Sequence, residues 1–138
     1  MAQSDSVIVD MAHFAQCRAR LRHNFARTFG YLRDDGLKSI AVIEKALRMG
    51  DAIGMIGPAE MIKTEAYELG AVALAEMAED IEFGARDRVE WRQSPDDLLE
   101  SVVALRDLFA QTVEVINREI NPLMAKRPEA MRARSARF

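Results

Sequence analysis

Cysteine, histidine and long apolar runs are all scarce in this chain, and each shortage removes a class of function. With one cysteine, Cys17, no internal disulfide can form, and two histidines beside it make no cluster able to hold zinc. A reducing, cytoplasmic setting is the expectation. No stretch of about 18 consecutive apolar residues is present, and the opening MAQSDSVIVDMAHFAQ has no basic run ahead of an apolar one. Neither secretion nor membrane insertion is therefore expected. Carboxylate-bridged metal sites in helical bundles need Glu-x-x-His pairs on facing helices, and the sequence contains none. GDAIGMIG lacks the Gly-Lys-Ser/Thr ending of a phosphate-cradling loop. His13 and His23 are ten residues apart, about 80° around a helix axis and on different turns, so they do not converge on one ligand. No cofactor or metal is expected.

What is present describes a folded domain. Hydrophobic residues make up 49% of the 138 positions and charged residues 30%, proportions of a globular chain long enough to bury a core. The net charge of −3 hides an asymmetry: Lys126, Arg127, Arg132, Arg134 and Arg137 against Glu129 give segment 126–138 a charge of +4, leaving −7 on 1–125. An acidic body argues against a nucleic-acid-binding domain. The basic segment reads as a solvated tail beyond a single domain spanning 1–125, with contact to an acidic partner or RNA as its functional alternative.

Helical periodicity runs almost throughout. Phe14, Cys17, Leu21, Phe25, Phe29 and Leu32 recur at spacings of three and four, which predicts one helical region over about 8–34 with a break near Asn24 or Gly30. On that stripe Cys17 reads as a buried, inert thiol. Asp34-Asp35-Gly36 suggests a restart, after which Leu37, Ile40, Ile43, Glu44 and Leu47 continue the spacing to a stop at Gly50. A helix follows within 50–71, then another from Val72 to about Asp87 with Leu74, Ala78, Ile81 and Ala85 on one face. Ser94-Pro95-Asp96-Asp97 marks the last helix start, with Leu98, Val102, Leu105, Phe109, Val113, Ile116 and Ile120 along one side until Asn121-Pro122. Trp91, just before Ser94, is expected to pack over that helix end. Amphipathic helices with short connections pack as an antiparallel bundle. The predicted fold is all-α, a four-helix bundle with an additional N-terminal helical segment.

Within the central helix, Ala59, Ile62, Ala66 and Leu69 share the side facing the core, while Glu60, Lys63, Thr64 and Tyr67 share the solvent side. Glu60 and Lys63 are neighbours there, an exposed pair worth about 0.2–0.5 kcal/mol. The segment GDAIGMIGPAEMIKTEAYELGA also resembles the signature of histidine-containing phosphotransfer (Hpt) domains of bacterial phosphorelays. In that family a Gly-Asp turn precedes, by about eight residues, Ala-His-x-Leu-Lys-Gly-Ser-Ala-x-x-Leu-Gly-Ala. Gly50 and Asp51 match the turn, Ala59 precedes the acceptor position, Ile62 stands for Leu, and Lys63, Ala66, Leu69, Gly70 and Ala71 match directly. The resemblance covers about residues 25–88.

Three departures shape what the resemblance implies. Glu60 occupies the acceptor position, Thr64 replaces glycine and Glu65 replaces serine. A carboxylate is a weaker nucleophile toward phosphoryl than imidazole, and its charge repels the group. The implied reading is a bacterial signalling protein that docks a response-regulator receiver domain or a hybrid histidine kinase without passing phosphate. Glu60, Met61, Lys63, Thr64 and Tyr67 are its expected partner-binding residues; no nucleic acid or membrane is expected as a partner. One alternative is an active phosphotransfer protein whose acceptor histidine has been replaced at position 60. Another is a structural or adaptor bundle using an apolar patch elsewhere, for instance near Phe83, Val89 and Trp91. An enzyme would need a pocket with perturbed carboxylates such as Glu65 and Glu68.

Overall fold

The first apolar stripe is interrupted at Arg22, which takes φ 51°, an unusual value for a residue with a side chain. In the computed structural model, which describes residues 8–120, this break separates helix α1 (Met11–Leu21) from helix α2 (Phe25–Arg48), with one turn of 3₁₀ helix at Arg22–Asn24 between them. Asp10 caps α1 by accepting a hydrogen bond from the His13 backbone N–H at 3.0 Å. The Phe14 ring meets Phe25 edge-on, centroids 5.2 Å apart, and fastens α1 to the start of α2. Of the two expected break points the one near Asn24 is used, and Gly30 lies inside α2.

Helix α2 also runs straight through Asp34-Asp35-Gly36, where the sequence suggested a restart. Gly36 serves contact between helices rather than a turn. A Cβ there would lie 2.6 Å from Cε2 of Phe109, a residue of the last helix. The close approach makes Gly36 a core position and turns Leu37 outward, about half exposed.

Gly50, at φ 68°, ends α2. Asp51 then accepts from the Gly54 N–H at 3.0 Å, helping to start α3 (Ile53–Glu68). Pro58 lies inside α3 and leaves the Gly54 carbonyl without its intrahelical donor. The helix closes at Gly70, φ 79°, where the Ala71 N–H reaches back to the Ala66 carbonyl at 2.9 Å. Helix α4 (Val72–Glu90) follows, then a 3₁₀ turn at Asp96–Leu98, then α5 (Leu99–Ile120). The Ser94 hydroxyl accepts from the Asp96 N–H at 3.3 Å, and Arg88 of α4 holds Asp97 through two hydrogen bonds, at 3.1 and 2.6 Å. Asp97 thus ties two elements together in addition to facing a helix start. The expected stop at Asn121-Pro122, the end of the domain at 125 and the basic tail lie outside the described residues.

The protein is an all-α four-helix bundle, with α1 as the additional N-terminal segment and no strand among the described residues. Helix α2 packs on α3 and α5, and α4 packs on the same two, so the four long helices form a closed ring. Leu32, Ile40, Ile43, Met55, Ile62, Leu74, Ile81, Leu105 and Ile116 fill the centre, each such side chain contributing about 1.5–3 kcal/mol on burial. Ala59 and Ala66 of α3 and Ala75, Ala78 and Ala85 of α4 are all buried in the core, and α3 and α4 pack on one another. Between α2 and α5, Arg106 grips Glu44 with hydrogen bonds of 2.7 and 2.8 Å.

Candidate docking surface

Helix α3 divides as its spacing predicts except at Lys63, expected on the solvent side, whose side chain is only 20% exposed. Ala59, Ile62, Ala66 and Leu69 are wholly buried, while Glu60, Thr64 and Tyr67 are exposed on the other side. The Thr64 hydroxyl donates back to the Glu60 carbonyl at 3.0 Å, the usual resting place of a threonine within a helix.

Lys63 departs from the expected pairing with Glu60. Its Nζ donates at 2.7 Å to Oε1 of Glu82 on α4. The Glu82 side chain is only 4% exposed, and a carboxylate that far from water needs cationic donors. Arg86, one turn along α4, supplies the second, from Nε to Oε2 at 3.1 Å. Burial pushes the Glu82 carboxyl up, but the bonds from Lys63 and Arg86 outweigh it and hold the group below its ordinary value. The same bond to Glu82 raises Lys63, which stays charged. Glu60 is left with a longer contact, 3.7 Å, to the Arg86 guanidinium, both side chains being half exposed. Such a pair is weak in water. The Lys63 ammonium also stands 5.5 Å from the centre of the Phe83 ring, itself half exposed.

The opposite flank of α3 is apolar. Between α2 and α3 lies a groove of about 340 Å³ in which Val42, Pro58 and Met61 supply apolar wall and Lys38 and Asp35 stand at the rim. Val42 is 50% exposed and Met61 40%. The five expected contact residues therefore divide: Lys63 leans toward α4, Met61 opens into the groove, and Glu60, Thr64 and Tyr67 occupy the ridge between them.

Other expectations fall out individually. Cys17 is buried and its Sγ lies 3.8 Å from the Tyr67 carbonyl; burial chiefly pushes its thiol up, as suits an inert cysteine. His13 is half buried and His23 exposed. The Glu65 carboxyl is raised by burial first, then by the charges of Asp35 and Glu68, and its Oε2 is buried without a hydrogen-bond partner. Neither Glu65 nor Glu68 lines the groove. Trp91, expected to cover the end of the last helix, is instead 69% exposed. Phe83 and Val89 are open as well, and Val89 borders a recess of about 220 Å³ together with Ile53 at the start of α3.

Sequence reading missed Glu82, Arg86 and Val42. Glu82 had a readable signal: it continues the spacing Leu74, Ala78, Ile81, Ala85 on the buried face of α4. A carboxylate at such a position calls for a cation from a neighbouring helix. Val42 had none, since only the packing of α3 beside it makes a groove. No group of three or more His, Cys, Asp or Glu side chains is placed to hold a metal ion among the described residues. Comparison of the chain with protein-family models, with curated proteins and with solved structures finds no match.

Proposed function

We propose that this chain is a helical-bundle adaptor that docks a protein partner through the α2–α3 groove and the adjoining ridge of α3, without catalysing a reaction itself. The observation that carries this reading is the groove: Val42, Pro58 and Met61 present apolar surface to solvent beside charged rims, the layout of a small protein interface. Lys63, Glu82, Arg86 and Glu60, beside and on the ridge, are engaged with one another rather than directed at a common point where a substrate atom could sit. Replacing Val42 and Met61 together by Asp tests it. Loss of partner capture with helical content retained supports the adaptor; full capture by that variant sinks it.

A second reading narrows the partner to a receiver domain. It is supported by Glu60 standing exposed in the middle of α3, between glycine turns at Gly50 and Gly70, where the resemblance to Hpt domains puts an acceptor. A phosphorylated receiver domain offered to the native chain and to Glu60→His separates the possibilities. Binding by both with label transfer only to the histidine variant supports receiver docking without phosphotransfer. Binding by neither removes the receiver and leaves the adaptor. Label on the native chain would locate an acceptor elsewhere, at His13 or His23.

A further inference from the structure

On the far side of the bundle, a second and larger groove of about 530 Å³ runs between α4 and α5. Met77, Ala104 and Leu108 give it an apolar floor, and Glu76, Asp80 and Glu100 stand along it with no basic residue in its lining. None of these three carboxylates forms an ion pair among the described residues, in contrast to Glu44, Glu82 and Asp97. We propose that this groove is the seat of the chain's own C-terminal segment 126–138, which docks there as an intramolecular occupant.

Charge, chemistry and reach agree on that occupant. The segment carries +4 against a body of −7, and in MRARSARF it alternates Arg132, Arg134 and Arg137 with apolar Met131 and Phe138. Arginines match the rim, and the apolar pair matches the floor. Helix α5 ends at Ile120, so Leu108 is about 18 Å back along the axis and Glu100 about 30 Å at 1.5 Å per residue. Arg132, twelve residues beyond Ile120, can reach about 40 Å at roughly 3.3 Å per extended residue. A chain that reverses after α5 therefore brings its arginines over Glu100 and Asp80.

A nitroxide attached to Ser135→Cys in the full-length chain tests this by NMR, with the native chain treated identically to check that buried Cys17 stays unlabelled. Amides of 73–80 and 100–108 are expected to lose most of their intensity at low salt. They should recover it at about 1 M salt, where the screening length falls to about 3 Å. Glu76→Gln with Asp80→Gln should weaken the loss in the same residues. Should that pair disturb folding, Arg132→Ala with Arg134→Ala leaves the bundle untouched and should give the same weakening. Intensity loss that vanishes when the spin-labelled chain is diluted with unlabelled protein places the segment on a second copy and overturns the intramolecular seat. Loss spread evenly over the surface, or no loss, overturns it too.

Discussion

Two glutamates show how local surroundings set the sign of a residue's contribution. Glu82 gains two cationic partners, so its folded-state pKa lies below its unfolded value. Its stabilisation is complete above roughly pH 4.3, the unfolded value, and is lost as pH falls through the lower folded value. Glu82→Ala is expected to cost about 1–3 kcal/mol near neutral pH, by the usual worth of buried hydrogen bonds to charge. Urea denaturation at pH 7 and pH 3 should show the difference between variant and native shrinking in acid. Glu65 runs the other way. Its folded-state pKa is raised, so a penalty is present at neutral pH, declines as pH drops through the folded value, and is gone below the unfolded one. Glu65→Gln should raise Tm by a few degrees at pH 7 and by less at pH 4. An unchanged or lowered Tm at pH 7 would contradict the account of its buried, unpartnered oxygen.

At the scale of elements, two glycines make the helices meet. Gly36→Ala drives a methyl into the Phe109 ring and should cost about 1–3 kcal/mol, the range for overfilling a packed site. Gly70 carries a double constraint, since its φ is +79° and an added Cβ would lie 2.7 Å from the Phe14 Cα. At Gly50 φ is +68° but nothing lies within 4 Å of an added Cβ. Thermal melts should therefore rank Gly70→Ala as clearly more damaging than Gly50→Ala. This contrast also explains what could be read beforehand. Helix ends at Gly50 and Gly70 and the two faces of α3 follow from local spacing, and local spacing is what a sequence displays. Asp34-Asp35-Gly36 reads as a restart in sequence because glycine signals both a turn and a close approach, and only Phe109, 73 positions away, decides between them. Local spacing points Lys63 to Glu60 for the same reason: the stronger attraction is Glu82, which another helix brings within reach.

For the whole molecule, the bundle keeps its two grooves on different helix pairs, one between α2 and α3 and one between α4 and α5. Charge distinguishes them, the first having a mixed rim and the second only acids. Partner binding through the first should accordingly respond to Val42→Asp and Met61→Asp by at least about tenfold, as expected when an apolar anchor worth about 1.4 kcal/mol or more is lost. It should respond little to Glu76→Gln or Glu100→Gln. Isothermal titration against a captured partner measures both. The four-helix ring was legible from periodicity because each helix buries one continuous stripe. The grooves were not, because each is made by two helices together.

The four side chains Lys63, Arg86, Glu82 and Glu60 form a set whose charges cancel. Glu79 acts on Lys63 as well, so the face as a whole carries no excess of positive charge and a partner meets it as a polar rim. Glu60 is the member held most loosely, at 3.7 Å. Exchanging it for any uncharged residue would leave Lys63 and Arg86 balanced by Glu82 and Glu79 beside Phe83. Position 60 thus sets the charge of this face: one codon change would take it from slightly acidic to balanced without touching the core beneath.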